Sequence, residues 1–286
     1  MILLIDAGNS RLKWACLQVK KLQPGGAVAR SAAPTRDFAS AWDALEAPEA
    51  VFVTSVAGEK FDKTLANWIK RKWKREPEFL ATRAKGFGVT NAYREPERLG
   101  ADRWLALIGA HDAWDGPVCI VDCGTAVTLD ALRGDGSHEG GLIVPGLALM
   151  RDSLKERASG IDAISLNPEA RTGLLATDTG NAIIAGSLYS LVALIERVVG
   201  DLSLEWKEPV QCLVTGGDAE QILPLLSVKA EHCPDLIFTG MAVIARQSGA
   251  AQPAARGREK DGHEMEYLSA DPGQPAVARL VVSAHG

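Results

Sequence analysis

The sequence predicts an α/β protein with two related halves, and two observations carry this prediction. Short apolar runs that suit buried strands alternate with longer stretches in which apolar residues recur at helical spacing. In addition, MILLIDAGNS at the start of the chain resembles VCIVDCGTAVTL, which begins at Val118: each has an apolar strand, then Asp-x-Gly, then a small polar residue. We therefore expect one half over residues 1–115 and a second over residues 116–248, each a mixed sheet flanked by helices.

The composition changes after Gly249, where Ala, Gly, Pro and charged residues dominate. A segment of this kind has too little apolar surface to build a core, so residues 249–286 are expected to form a flexible C-terminal extension that carries no chemistry. VARLVVS near the end of the chain has the pattern of a strand.

The bulk properties exclude several classes of protein. The 286 residues are 47% hydrophobic and carry a formal net charge of −5, which gives no general attraction to nucleic acid or to a membrane surface. The five cysteines are scattered without a CxxC pair, so neither a disulfide framework nor a zinc cluster is expected, and a reducing cytoplasm fits best. Asp6 interrupts the first apolar run, which argues against a signal peptide.

In the first half, strands are predicted at MILLI, at LKWACLQV and at AVFVTSV, which begins at Ala50. Helices are predicted over FDKTLANWIKRKWK from Phe61 and over ADRWLALIGAHDAW from Ala101. The stretch WIKRKWKR interleaves tryptophan with basic residues, as some nucleic-acid-binding segments do. Its apolar side chains nevertheless share one helical face, which favours an amphipathic surface helix.

In the second half, strands are predicted at VCIVDCG, TLDALRG, LIVPG and QCLVTGG. Helices are expected at LALMRDSLKERA, over residues 182–199 and over residues 239–247. The segment 182–199 is the most apolar, but it is interrupted by Ser187, Tyr189 and Ser190 and is short for a bilayer, so a buried helix is expected. The turn-rich AWDGP at 113–117 marks the boundary between the halves.

The two Asp-x-Gly turns, at Asp6 and Asp122, are the features best suited to chemistry. Neither GxxxxGK[ST] nor GxGxxG after a strand occurs, so the common nucleotide-binding loops are absent. Turns between strands expose backbone N–H groups that bind phosphate, and Mg²⁺ needs only one or two carboxylates because it keeps most of its waters. Gly216 and Gly217 add a place where a ligand approaches the main chain. Two facing turns of this kind would hold one triphosphate between the halves.

Five segments, in order along the chain, together resemble those of type III pantothenate kinases. They are DAGNSRLK at 6–13, LGADRW at 99–104, DCGTAVTLD at 122–130, TGNAI at 179–183 and VTGG at 214–217. The resemblance runs from Met1 to about Gln247, and GADR together with DCGT is more specific than either Asp-x-Gly turn. It implies a member of the actin and sugar-kinase superfamily, whose duplicated ribonuclease-H-like (actin-like) halves close around a nucleotide cleft.

The resemblance implies roles for individual residues. It makes Asp102 the catalytic base, Asp122 a ligand of a monovalent cation (K⁺ or NH₄⁺), and Asp6 a ligand of Mg²⁺. ATP contacts are implied for Asp6, Ala7, Gly8, Asn9, Ser10, Arg11, Leu12, Lys13, Thr125, Gly216 and Gly217. Pantothenate contacts are implied for Tyr93, Gly100, Ala101, Asp102, Arg103 and Thr179. The family's enzymes are homodimers whose pantothenate pocket lies near the dimer interface.

The implied reaction is ATP-dependent phosphorylation of pantothenate to 4′-phosphopantothenate, the first step of coenzyme A biosynthesis. The primary hydroxyl of pantothenate attacks the γ-phosphorus while Asp102 accepts its proton, and Arg103 either binds the substrate carboxylate or orients Asp102. Two other functions stay open: a superfamily phosphotransferase or phosphohydrolase with another acceptor, and a non-catalytic or dual-role accessory protein in transcription. The presence of Asp6, Asp102 and Asp122 argues against a purely regulatory role.

Simpler structural interpretations exist for the same residues. The turn at Asp6 is also what a plain β-hairpin requires. Asp102 and Arg103 would form a surface ion pair at a helix start, where an acidic residue suits the helix dipole. Thr179 would serve as the N-cap of the long helix, Tyr93 as an aromatic at the edge of the core, and Cys123 as a small buried residue.

Overall fold

The computed structural model describes residues 1–19, 21–158 and 175–249. These described residues belong to one compact unit. The C-terminal extension beyond Gly249, with the strand considered at VARLVVS, lies outside the described residues.

The first sheet contains five strands and is built from residues 2–79. Its elements are β1 (Ile2–Ala7), β2 (Arg11–Gln18), β3 (Lys21–Ala29), α1 (Pro34–Trp42), β4 (Ala50–Ser55), α2 (Glu59–Trp73) and β5 (Glu78–Phe79). The strand order is β3-β2-β1-β4-β5. The first three strands are antiparallel, whereas β4 and β5 run parallel to β1.

A connection without a large sheet leads from β5 to the next long helix. It holds the short hairpin of β6 (Lys85–Gly86) and β7 (Val89–Thr90), and then a single 3₁₀ turn at Pro96–Arg98. The helix α3 (Ala101–Ala113) comes next and is buried along most of its length. This connection carries Tyr93 and Gly100.

The second sheet repeats the first in strand order. Its elements are β8 (Val118–Cys123), β9 (Ala126–Leu132), β10 (His138–Pro145), α4 (Leu147–Arg157), α5 (Thr179–Trp206), β11 (Gln211–Thr215), α6 (Ala219–Ile222), a 3₁₀ turn (Leu223–Leu225), β12 (Ala230–His232) and α7 (Leu236–Gln247). The order is β10-β9-β8-β11-β12, again with three antiparallel strands followed by two parallel ones. The repeat that the sequence predicts is therefore a repeat of sheet topology.

The helices α3 and α7 pack against each other and contribute to one core with both sheets. Leu4 from β1, Leu105 from α3, Ile120 from β8 and Met241 from α7 belong to the same buried apolar cluster. The two helix axes approach closely because a glycine lies at each side of the crossing. A Cβ on Gly109 would lie 2.4 Å from the Leu236 carbonyl oxygen, and one on Gly240 would lie 2.0 Å from that of Leu105.

The strands and helices predicted from periodicity are confirmed, while β3 and α1 were not predicted. The strand β3 contains Pro24, Gly25 and Gly26, which ordinarily argue against a strand. It is an edge strand, and the two glycines leave room for an indole: a Cβ on Gly25 would lie 2.2 Å from Cδ1 of Trp14. The glycines that weaken the strand pattern of β3 are therefore explained by the packing of Trp14 from the neighbouring strand β2.

The helix α5 is longer than residues 182–199, the range predicted for it. By length and composition alone it would be able to cross a membrane. Its buried side chains, including Leu191 and Ile195, instead join the apolar cluster that covers β8, β9 and β11. The structure thus places α5 as a core helix packed on the second sheet.

Candidate active site

Two aspartates occupy equivalent positions at the ends of the first strands of the two sheets. In the first sheet, Asp6 lies opposite Lys13 on β2. In the second sheet, Asp122 lies opposite Thr128 on β9. Both turns are hairpins, as the simpler interpretation of the sequence expected, and both place a carboxylate at the end of a buried strand.

The two hairpin turns meet each other. The hydroxyl oxygens of Ser10 and Thr125 lie 3.0 Å apart, at hydrogen-bonding distance. A side chain that sequence reasoning missed supports the first turn: Nη1 of Arg30 donates to the carbonyl oxygens of Gly8 and Asn9 at 2.6 and 3.0 Å. Backbone groups of this turn are therefore held in place, while Ser10 and Thr125 remain exposed beside the site.

The other residues of the first turn divide between the core and the site. Ala7 and Leu12 are buried in the core of the first sheet, so only their backbone atoms can contribute to a nucleotide site. Arg11 is exposed and Lys13 is half-buried next to Asp6. This division follows the alternation of side chains in a strand, which sends successive residues to opposite faces.

Asp102 is the second residue of α3 and reaches the same region from a third direction. The backbone N–H of Arg103 donates to its Oδ1 at 2.8 Å, which fixes the carboxylate at the start of the helix. A Cβ on Gly100 would lie 2.5 Å from the same oxygen, so a larger residue there would displace the carboxylate. Ala101 and Asp102 are both half-buried.

The three carboxylates are close enough to affect each other's ionisation. Burial raises the pKa of Asp6 to about 7; the charge of Lys13 opposes the shift, and Asp102 and Asp122 add to it. Burial also raises the pKa of Asp122 to about 6, again opposed by Lys13 and increased by Asp102. Negative charge is thus concentrated here, with one lysine to balance it.

This group of oxygen donors fits Mg²⁺ and not a closed metal cage. Within residues 1–19, 21–158 and 175–249, no three His, Cys, Asp or Glu side chains converge as a complete set of metal ligands. Mg²⁺ commonly binds to one or two carboxylates and fills its other positions with water and phosphate oxygens. Asp6 and Asp122 are carboxylates of this kind, and a cation beside them would favour the charged forms that burial disfavours.

Arg103 is buried, so the simpler interpretation of Asp102 and Arg103 as a surface ion pair is wrong. Its Nε and Nη2 donate to Oδ2 and Oδ1 of Asp130 at 2.8 and 2.6 Å. Its Nη1 donates to the hydroxyl oxygen of Tyr93 at 2.8 Å. The guanidinium is therefore held inside the protein by Asp130 and Tyr93, and among the described residues its side chain forms no hydrogen bond or ion pair with Asp102. Asp130 was missed as a functional candidate, although it is the last residue of DCGTAVTLD.

The segment after β11 approaches the second turn very closely. Gly216 has φ of 95°, and a Cβ on it would lie 2.5 Å from the backbone of Cys123. The backbone N–H of Asp218 donates to the carbonyl oxygen of Cys123 at 3.0 Å. Gly217 is exposed and a Cβ there would meet no atom within 4 Å, so a ligand has open access to this stretch of main chain.

Thr179 is the first residue of α5 but not its N-cap. The N-cap is Asp178, whose Oδ1 accepts the backbone N–H of Asn181 at 2.9 Å. Thr179 lies in a groove between α4 and α5 together with Pro145 and Met150. Within the described part of the chain, no hydrogen bond joins Thr179 to Tyr93, Arg103 or Asp102.

Comparisons with known proteins agree on one family. The sequence model of type III pantothenate kinase matches residues 2–201. A type III pantothenate kinase from Nitrosococcus oceani is 45% identical over 254 residues, covering 87% of this chain and 95% of the relative. One from Burkholderia mallei is 38% identical over 262 residues, covering 87% and 100%.

Solved structures show the same fold at lower identity. A Campylobacter jejuni protein assigned to the Baf family of transcriptional activators matches with a TM-score of 0.55 at 21% identity, covering 86% of this chain and 98% of that one. A Sinorhizobium meliloti protein assigned as a 2-dehydro-3-deoxygalactonokinase matches with a TM-score of 0.56 at 15% identity, covering 90% and 99%. The fold is thus the one shared by actin-like sugar kinases, and by its sequence the chain belongs to the type III pantothenate kinase family.

Proposed function

We propose that this chain transfers the γ-phosphoryl group of ATP to the primary hydroxyl of pantothenate, with Asp102 as the general base. Family membership supports the reaction, which yields 4′-phosphopantothenate for coenzyme A synthesis. The observation that supports the site is the convergence of Asp6, Asp122 and Asp102 from β1, β8 and α3 beside the contact of Ser10 with Thr125.

The two turns bind the triphosphate in this proposal. Backbone N–H groups at the first turn face the phosphates, and Lys13 and Ser10 add a cation and a hydroxyl. Thr125 contributes the matching hydroxyl of the second turn, and Gly216 and Gly217 let the adenosine side lie against the main chain. Asp6 would hold Mg²⁺, which would supply positive charge to neutralise the transferred phosphoryl group.

Asp102 acts on the acceptor hydroxyl. It accepts the proton as the oxygen–phosphorus bond forms, and the bond from γ-phosphorus to the β,γ-bridging oxygen of ATP breaks to release ADP. General-base assistance of this kind is typically worth about 10²–10⁴ in rate. Positioning of the two reactants contributes more, about 7–11 kcal/mol, so Tyr93, Gly100, Ala101, Arg103 and Thr179 are assigned to hold pantothenate.

A monovalent cation, K⁺ or NH₄⁺, is assigned to Asp122. The argument is the contrast across the two hairpins: Lys13 stands opposite Asp6, whereas the residue opposite Asp122 is the uncharged Thr128. Asp122 therefore has no cationic residue directly across its hairpin. Replacement of potassium by sodium in the assay tests this assignment, and equal turnover in both salts contradicts it.

A homodimer is proposed from the apolar surface around the groove between α4 and α5. Large apolar side chains are exposed on three neighbouring elements here: Leu142, Ile143, Leu149, Leu154 and Tyr189. An exposed patch of this kind is typical of a protein interface. A second copy on this surface would lie next to Thr179, which joins the interface to the proposed pantothenate site.

The dimer is tested by sedimentation of charge-insertion variants. Ile143→Glu and Leu149→Glu are expected to give a monomer. Leu204→Glu is the matched control, because Leu204 is 78% exposed at the far end of α5. A wild-type monomer at micromolar concentration, or dissociation by the control as well, contradicts the proposed interface. We also propose that the two halves meet between residues 115 and 116. A location in the cytoplasm is proposed as well.

The reaction is tested by a coupled assay with ATP, Mg²⁺, K⁺ and pantothenate. The expected result is ADP formation that depends on pantothenate, with 4′-phosphopantothenate identified by mass spectrometry. Sugar acceptors serve as the comparison, because a superfamily kinase with another acceptor would prefer one of them. Absence of turnover with pantothenate would count against the proposal. A purely regulatory function is not favoured, since the relatives at 38–45% identity are pantothenate kinases.

A further inference from the structure

A buried series of hydrogen-bonded side chains connects the first half of the molecule to the second. Arg103 comes from α3, Asp130 from β9 and His138 from β10. Asp130 accepts two of the three hydrogen bonds donated by the Arg103 guanidinium, and Nε2 of His138 lies 3.0 Å from Oδ1 of Asp130. All three side chains are at least nine-tenths buried. The last member of this series is the half-buried residue Tyr93, which Arg103 contacts at the hydroxyl oxygen.

The direction of each hydrogen bond in this series is determined by its chemistry. The backbone N–H of Ala92 donates to Nδ1 of His138 at 3.4 Å, so Nδ1 is the acceptor and Nε2 carries the hydrogen that Asp130 receives. A guanidinium has donors only, so Nη1 of Arg103 must donate to the oxygen of Tyr93. The hydroxyl hydrogen of Tyr93 is thereby left to donate to a different acceptor.

The packing around this series preserves the arrangement. The rings of Tyr93 and His138 are stacked, with centroids 6.1 Å apart and planes inclined by 17°. Gly141 on β10 leaves space for the ion pair, since a Cβ there would lie 2.5 Å from Nη2 of Arg103 and 2.6 Å from Oδ1 of Asp130. The packing therefore holds the Arg103 guanidinium in place. Because Arg103 donates to the Tyr93 oxygen, the Tyr93 hydroxyl can act toward another group as a hydrogen-bond donor.

We propose that Asp130 and His138 are positioning residues that make Tyr93 a hydrogen-bond donor toward the substrate. The group recognised by Tyr93 is then an acceptor oxygen, either the carboxylate or the amide carbonyl of pantothenate, and not one of its hydroxyl donors. This inference rests on the proposed function, which makes Tyr93 a substrate contact. It also assigns Arg103 an indirect role: its side chain orients Tyr93, and its backbone N–H orients Asp102.

The test is a double-mutant cycle with Asp130→Asn and Tyr93→Phe. Asparagine places an NH₂ group where Arg103 needs an acceptor, which releases the guanidinium. Each single variant is expected to raise the KM for pantothenate about tenfold or more, the size of a lost hydrogen bond to a charged group, with the KM for ATP unchanged. The double variant should be little worse than either single one, because both remove the same contact.

A second pair of variants guards against misfolding. His138→Gln keeps an N–H that can donate to Asp130 and is expected to retain a near-normal KM for pantothenate, whereas His138→Leu is expected to raise it. Trp42→Phe, in the separate core of the first sheet, provides a control that changes stability alone. Thermal melting of every variant accompanies the kinetics.

The outcomes separate this inference from the function on which it rests. A wild-type protein that does not phosphorylate pantothenate overturns the proposed function and this inference with it. Normal turnover by wild type, with Asp130→Asn and Tyr93→Phe raising KM independently of each other, overturns the positioning role alone. Equal KM values for His138→Gln and His138→Leu also overturn it. Glutamine keeps an N–H donor for Asp130 and leucine does not, so equal values would show that this hydrogen bond does not affect pantothenate binding.

Discussion

The two sheets share one topology but differ in the connection between the last strand and the next long helix. In the second half, only residues 233–235 separate β12 from α7. In the first half, residues 80–100 separate β5 from α3, and this longer connection carries Tyr93 and Gly100 and leads directly into Asp102. We propose that both turns bind ATP, whereas the acceptor is recognised by this longer connection, which has no counterpart of similar length between β12 and α7.

The same comparison applies to the turns themselves. Asp6 and Asp122 occupy equivalent positions, and both lie next to a buried threonine on the adjoining parallel strand, Thr54 and Thr215. The position across the hairpin differs, since it is Lys13 in the first turn and Thr128 in the second. Lys13 acts on both carboxylates but stands directly across the hairpin only from Asp6, and this difference is the basis on which we propose a monovalent cation at Asp122.

The largest effect is expected for Asp102→Asn, which tests whether the chemistry belongs to the first half alone. Loss of the base should lower kcat by about 10²–10⁴ while ATP binding is retained, because the amide cannot accept the hydroxyl proton. Steady-state kinetics and ATP titration measure the two quantities separately.

Asp235→Asn is the matched control for this experiment. Asp235 stands at the start of α7, the counterpart of α3 in the second half, and lies outside the proposed site. Its kcat should equal that of wild type. A comparable loss of kcat in Asp102→Asn and Asp235→Asn would contradict the assignment of Asp102 as the base, because Asp235 lies outside the proposed site.

The next effect tests the symmetry of the helix crossing. Gly109→Ala and Gly240→Ala each place a methyl group against a carbonyl oxygen of the other helix, at 2.4 and 2.0 Å before relaxation. Overpacking of this kind typically costs about 1–3 kcal/mol, and similar losses are expected for both. Urea denaturation measures them. Gly200→Ala on α5 is the control, because a Cβ there would meet no atom within 4 Å and alanine favours a helix.

The sequence allowed most of the frame to be predicted because the frame follows periodicity. The helix α2 and seven strands were predicted from patterns of buried and exposed positions, and these are confirmed. The strands are those at MILLI, LKWACLQV, AVFVTSV, VCIVDCG, TLDALRG, LIVPG and QCLVTGG. The edge strand β3 could not be predicted, since its Gly25 and Gly26 are explained only by the ring of Trp14 on the neighbouring strand.

The candidate site divides in the same way. The aspartates of the two turns were identifiable because the motif repeats along the chain. The partnership of Arg103 with Asp130 was not, since α3 and β9 are joined only by the tertiary structure. His138 had no signal at all in the sequence, because a single histidine near a glycine pair has no distinctive spacing.

A smaller effect is expected when the two hairpin partners are exchanged for apolar residues. Lys13→Met should raise the KM for ATP about tenfold, the size of a lost contact to a charged phosphate. Thr128→Val should leave the KM for ATP unchanged and weaken activation by potassium. Initial rates measured over a potassium series at several ATP concentrations separate the two effects. An equal rise in the KM for ATP in both variants would contradict the division of labour between the turns.

The smallest effect concerns stability, and it arises from the same charged site. The folded-state pKa of Asp6 is about 7, above its ordinary value of 3.8, so the native state binds more protons than the unfolded state between these values. The free energy of unfolding of the ligand-free protein should therefore fall as pH rises from about 4 to 7. Asp6→Asn removes this cost and should be more stable than wild type at pH 8, with the gain vanishing near pH 4. Melting curves at both pH values measure the difference, and the exposed Asp115, changed to Asn, serves as control. A gain of equal size at both pH values would show that the effect is not ionisation. Addition of MgATP at pH 8 should reverse the order of stability, since the carboxylate that lowers the stability of the ligand-free protein is the one proposed to bind Mg²⁺.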